Sequence, residues 1–163
     1  MKISGEILIH ENNELVLMRK NQILENGLEM LIQPRNWVEC IYGVVIGVED
    51  NPTPSTYTSI QSMENPIDGL IFPLISQDVT KLLSPDRGFK ISNKFEKKLI
   101  SGYGLIANLS ITEMGLVITD GIDSRLLARI VSLPDQYIYT FPDDKDVVLT
   151  WNLNINVDCG ESE

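Results

Sequence analysis

The chain carries one histidine, His10, and only two cysteines, Cys40 and Cys159. A Ser/His/Asp or Cys/His nucleophilic site would have to use that one imidazole, which sits beside Glu11 near the N-terminus, and no G-x-S-x-G elbow occurs. His10 reads more simply as an imidazole at the end of a strand. Structural zinc wants four Cys or His at paired spacings, which two distant cysteines cannot supply. They read as free thiols suited to assembly in a reducing cytoplasm, with a single bridge between them left open.

Positive charge is also scarce. Lys and Arg number 13 against 23 Asp and Glu, giving a net charge of −10 and no basic run. Such a surface repels phosphate backbones and anionic membranes, so neither direct nucleic-acid binding nor a membrane partner is expected. Long apolar runs are missing too. The longest, residues 42–48, is far too short to span a bilayer, and Met1-Lys2-Ile3-Ser4-Gly5-Glu6 lacks the apolar core of a signal peptide.

Aromatics make up 7% of the chain, with no cluster to line a saccharide groove. Acidic residues are plentiful, so a pair of carboxyls at glycosidase spacing is expected by chance and does not by itself indicate hydrolysis. Glu49-Asp50-Asn51 and Asp143, Asp144 and Asp146 fall short of a calcium-loop pattern and read as solvated loops. Gly102-x-Gly104 precedes no helix, and no G-K-[ST] follows, so phosphate binding has no support. No catalytic residue, metal or cofactor is expected.

What the chain does have is alternation. With 163 residues it fits a single domain, residues 1–163. Ile3, Gly5, Ile7 and Ile9 alternate with Ser4, Glu6, Leu8 and His10, which predicts a strand. Asn12-Asn13 supplies a turn tolerant of positive φ, and residues 14–20 return as the second arm of a hairpin. Leu24, Leu28 and Leu31 fall at helical spacing, with Asn26 and Glu29 as a capping box and Pro34 as the stop. Residues 41–48 read as a strand buried on both faces. The polar, proline-containing stretch 49–56 is a loop, with a second helical turn expected up to Met63.

Residues 70–75 read as a strand with Pro73 at an edge or bulge, and Ser84-Pro85-Asp86-Arg87-Gly88 as a turn. Strands are also expected at 89–100, 105–111, 116–119 and 126–133, with Asp120-Gly121 as a turn. The cleanest pattern lies at 147–158. Val147, Leu149, Trp151, Leu153, Ile155 and Val157 share one face, and Val148, Thr150, Asn152, Asn154, Asn156 and Asp158 share the other. A slip of one residue would put six apolar side chains in water, at about 1.5–3 kcal/mol each. Residues 159–163 form a polar tail. The whole predicts an all-β, two-sheet sandwich of jelly-roll or immunoglobulin-like type, with an N-terminal hairpin and one or two short helices.

Four stretches carry a resemblance. Asn21-Gln22-Ile23-Leu24-Glu25-Asn26-Gly27-Leu28-Glu29-Met30-Leu31 follows the hairpin as N-x-x-x-x-x-G-L-x-x-L. Residues 42–56 are a strand ending in Gly47 that passes into a Thr/Pro/Ser loop. Ile111-Thr112-Glu113-Met114-Gly115-Leu116 reads I-T-E-x-G-L. Leu126-Leu127-Ala128-Arg129 is followed by Leu149-Thr150-Trp151-Asn152-Leu153. In this order they resemble structural proteins of tailed-bacteriophage virions of the tail-fibre, collar or surface type. The middle, residues 67–88, is longer than that pattern.

The resemblance implies a virion component without catalysis, assembled in the host cytoplasm. Its partners would be other virion proteins and copies of itself. Candidate contacts are Arg35, Asn36 and Trp37 before a long strand, Pro52, Thr53 and Pro54 in the loop, Asn152, Asn154 and Asn156 on the polar face of the last strand, and the hairpin, residues 3–20. Trp151, on the apolar face, reads as core. A carbohydrate-binding module for host attachment and a polysaccharide hydrolase stand as alternatives.

Overall fold

The computed structural model describes residues 2–24, 27–29, 41–47, 66–82, 88–96, 110–122, 124–133, 135–142 and 145–156. These form an all-β, sandwich-like fold of antiparallel strands. In chain order the strands are β1 (Lys2–Glu11), β2 (Glu14–Lys20), β3 (Gln22–Ile23), β4 (Ile41–Gly47), β5 (Pro66–Leu82), β6 (Gly88–Glu96), β7 (Ser110–Ile111), β8 (Glu113–Thr119), β9 (Ser124–Val131), β10 (Tyr139–Thr140) and β11 (Val147–Asn156). Nine pair in the order β2-β1-β11-β6-β5-β4-β8-β9-β3, and β10 pairs with β7.

The 17-residue β5 turns this array into two layers. Its first half pairs with β4, from Gly47↔Pro66 to Gly43↔Pro73. Its second half pairs with β6, from Leu74↔Phe95 to Leu82↔Gly88, with a bulge between Leu74 and Ser76. Pro73 stands where the partner changes. Proline has no N–H for a ladder bond and suits an interruption of that kind; Pro73 itself pairs with Gly43, the bulge lies two residues on at Ile75, and the strand is nearly three times as long as the six residues expected.

The inner faces meet in one core. From the first layer come Ile7, Ile9, Ile91, Phe95, Leu149, Trp151, Leu153 and Ile155; from the second come Val44, Ile46, Phe72, Met114, Leu116, Ile118, Leu127 and Ile130. The period-two seam of β11 lies at its centre. Val147, Leu149, Trp151, Leu153 and Ile155 are all buried, while Val148, Thr150, Asn154 and Asn156 are partly open. β11 sits between β1 and β6, with Ile7↔Trp151 and Trp151↔Asn93 in direct register.

β8 is buried along nearly its whole length, on both of its faces. Its outward Val117 joins Leu24, Val45 and Leu126 in a small separate cluster. The structure places Leu24 outside the expected helix. Gln22–Ile23 is a strand paired to β9, and Leu24 extends that pairing by donating its amide to Leu127 O at 2.9 Å. Among the described residues helix is seen only at 27–29, where Leu28 N donates to Leu24 O at 3.0 Å. Leu24 and Leu28 therefore do not share one apolar face: Leu28 packs against the main core.

The small β7–β10 sheet adds Phe141 to the main core, tilted against Phe72 at 5.6 Å and edge-on to Tyr139 at 5.1 Å. Two of the expected turns are present. Asn12 and Asn13 take positive φ, 47° and 68°, and Gly121 takes +93°, with Ile122 N donating to Asp120 Oδ1 at 2.8 Å. The expected 84–88 turn, the 55–63 helical turn, most of 105–111 and the ends of the 89–100 and 147–158 strands lie outside the described residues. β9 ends at Val131, two residues short of its expected limit.

Candidate functional site

Two surfaces of the first layer stand out. One is its outer face. Reading across β1, β11, β6 and β5, the rows are Leu8–Thr150–Lys94–Ser76, Glu6–Asn152–Ser92–Asp78 and Ser4–Asn154–Lys90–Thr80. Paired residues share a face, so this is a polar sheet surface with charges of both signs. The Asn residues expected at a contact belong to it. Asn152 is only 6% exposed and its Oδ1 accepts a 2.8 Å hydrogen bond from Ser92 Oγ, so it is occupied within the sheet. Asn154 and Asn156 are half-buried. Arg35, Asn36, Trp37, Pro52, Thr53 and Pro54 lie outside the described residues.

The second surface is β2, the edge strand. Its outer side pairs with no other described strand. Leu15, Val16 and Met18 are 49%, 44% and 61% exposed, while Leu17 packs against the core. The apolar run Leu15-Val16-Leu17-Met18 breaks strict alternation, and the cause is a bulge. β1 residues Ile9 and His10 are adjacent, but their partners Leu17 and Leu15 are not, so Val16 is the extra residue. The opposite edge of this layer, the second half of β5, carries Ser76, Asp78, Thr80 and Lys81.

The hairpin tip is fastened to the segment before β11. Asn12 N donates to Asp146 O at 2.9 Å, and Asp146 N donates to Asn12 Oδ1 at 3.1 Å. Next to it, Glu11 accepts from Tyr139 and from Lys145. These two bonds, Tyr139 first, hold the Glu11 carboxyl below the usual carboxylate range. Burial first, then the bond to Glu11, push the Tyr139 phenol up. His10 is half-buried on β1 between Val148 and Leu15 and belongs to the outer face. Among the described residues no group of three His, Cys, Asp or Glu could hold a metal ion, and Cys40, Cys159, Asp143 and Asp144 lie outside them.

The motifs quoted for the resemblance meet one another. Glu113 of I-T-E-x-G-L and Arg129 of L-L-A-R form an ion pair, both side chains fully buried. Trp151 of the last strand donates Nε1–H to Oδ1 of Asn21, the first residue of the N-x-x-x-x-x-G-L stretch, at 3.2 Å. Gly27 of that stretch lies directly on the backbone of Leu126 and Leu127, so close that a Cβ would overlap Leu126 O. These residues tie β3, β8, β9 and β11 together; their evident task is structural.

Comparison with family models, with curated proteins and with solved structures finds no match.

The ion pair, the Glu11 clamp and the apolar edge were not singled out from sequence. A signal existed only for the edge, in its four consecutive apolar residues. The other two depend on strands far apart in the chain coming together.

Proposed function

We propose that this chain is a non-enzymatic structural subunit of a tailed-bacteriophage virion, in the tail, the collar or neck ring, or the particle surface. It works by binding copies of itself and other virion proteins, with assembly in the host cytoplasm. The observation that carries the reading is the apolar edge of β2, with Leu15, Val16 and Met18 exposed on a strand whose outer side pairs with no other described strand. An exposed apolar edge is an aggregation hazard in a monomer and an asset in a subunit that is covered on assembly.

Other features support the reading. The acidic balance keeps the subunit from adhering to nucleic acid during packaging. The hairpin tip is bound to the segment before β11, so the edge is presented by a fixed scaffold. The residues that carry the resemblance to virion proteins hold the fold together, so the resemblance speaks for a shared scaffold and transfers no catalytic group.

Mass spectrometry of density-banded phage particles from the host that carries the gene tests this. The expected result is the chain present at a fixed copy number per particle. Abundant chain in the lysate and none in the banded particles overturns it.

A further inference from the structure

We infer that β2 pairs with β2 of a second copy of this chain across a two-fold axis, joining two first layers into one continuous ten-stranded sheet, with Leu15 opposite the partner's Met18 and Glu14 opposite the partner's Arg19. The inference rests on the reading of the chain as an assembling subunit and names the first partner and the register.

The backbone sets the register. Asn21 donates its amide to Gly5 O at 3.1 Å. Hydrogen-bonded and non-hydrogen-bonded pairs alternate along an antiparallel ladder. Counting back along the β1–β2 pairing, Arg19 and Leu17 turn their backbone groups toward Ile7 and Ile9, and Met18 and Lys20 turn theirs outward. At the other end, the two-residue Asn12-Asn13 turn closes on the Glu11–Glu14 pair, which leaves Leu15 facing outward. The bulge folds Val16 and Leu17 into one ladder step. Leu15 and Met18 are thus successive outward-facing positions, and a two-fold axis sets each opposite the other.

The side chains agree with that register. Leu15 lies beside His10 and Met18 beside Leu8, so both are on the outer face, and each apolar side chain meets an apolar one. Glu14 and Arg19 lie beside Glu11 and Ile7 on the other face, and the same axis brings opposite charges together twice. Such a contact is isologous and closes on itself. The bulge supplies specificity. Against a regular strand it spoils the ladder, which protects an edge from arbitrary pairing. Against its own copy, bulge meets bulge and the two irregularities coincide. The other edge of the layer exposes Ile75 and Val79, but singly, among Ser76, Asp78, Thr80 and Lys81, and has no comparable apolar run.

The test is charge exchange read by sedimentation and mass photometry, with thermal melts as the folding control. The wild-type chain is expected to dimerise. Glu14→Arg and Arg19→Glu each set like charges across both ends and should raise the dimer Kd about 100-fold. The double exchange should restore it to within about threefold. Amide exchange supplies a reading that needs no variant: protection of Leu15 and Met18 should rise with protein concentration, while Arg19 stays protected throughout. A wild-type chain monomeric at micromolar concentration overturns the inference. So do single variants that dimerise as wild type does, or Leu15 and Met18 amides indifferent to concentration. Presence in particles is decided separately, so a chain found in virions but monomeric in solution sinks the self-pairing alone.

Discussion

The hydroxyl of Tyr139 donates a 2.6 Å hydrogen bond to Glu11 Oε1, while Lys145 Nζ holds Oε2 of the same carboxylate at 3.0 Å. One acidic side chain at the end of β1 thereby fastens the hairpin to two points of the 139–146 segment. Because the folded-state pKa of Glu11 lies below its ordinary value, the contribution is complete above the ordinary carboxylate range and is lost as pH falls through the folded value. Glu11→Gln should lower stability at neutral pH by on the order of 1 kcal/mol, a figure held down by solvent screening. The variant should also lose part of the wild type's acid sensitivity. Chemical denaturation at neutral pH and below pH 4 checks both; parallel pH profiles for the two proteins would refute the role.

The Glu113–Arg129 pair is fully buried. Removing one partner strands a charge in the core, at a cost of about 3–5 kcal/mol. Arg129→Met should therefore be strongly destabilising at neutral pH. Its deficit should shrink on acidification, because a lone buried carboxyl is uncharged once protonated. Pairing Arg129→Met with Glu113→Leu should recover much of the loss. Urea midpoints for the two single variants and the double variant measure the coupling, and additive losses would contradict it.

Asn93 sits on the apolar face of β6 with no exposed surface. It donates Nδ2–H to Trp151 O at 3.1 Å and accepts from Gln77 Nε2 at 2.6 Å. Asn93→Leu adds apolar surface and should nevertheless cost about 1–3 kcal/mol, since it leaves polar partners unbonded in the interior. A melting temperature equal to or above that of the wild type would show the amide to be dispensable.

Gly27 lies on the backbone of β9, where a methyl group would overlap Leu126 O. Gly27→Ala should push residues 27–29 off the second layer and cost about 1–3 kcal/mol. Amide exchange should quicken first at Leu24 and Leu28, whose bonds to Leu127 O and Leu24 O join this turn to the sheet. Unchanged protection at both amides would mean that the fit is loose.

The sequence made some of this legible and hid the rest for identifiable reasons. β11 could be read because one face meets the core along its whole length, so Val147, Leu149, Trp151, Leu153 and Ile155 are all buried. β5 could not, because it changes layers. Phe72 faces the core beside Val44 and Gln77 faces Asn93, while Val79, on the same side as buried Ile91, is 45% exposed. No single period spans a strand whose two halves are covered differently. Leu24 was read into the short helix by spacing alone, but buried Leu24 and partly buried Leu28 pack in different clusters, which spacing cannot register. Among the contact candidates, the hairpin named from sequence includes the apolar edge. Asn152 was grouped with its neighbours by alternation alone, which cannot register that Ser92 occupies its side chain.

The place of β11 between β1 and β6 bears on how the protein comes off the ribosome. Two strands made much earlier must wait, each with a bare flank, until residues 147–156 emerge and slot between them. This half of the molecule stays open until then. Closing this layer takes the insertion of a strand between two others, and any chaperone that attends the chain has most to shield until that strand arrives.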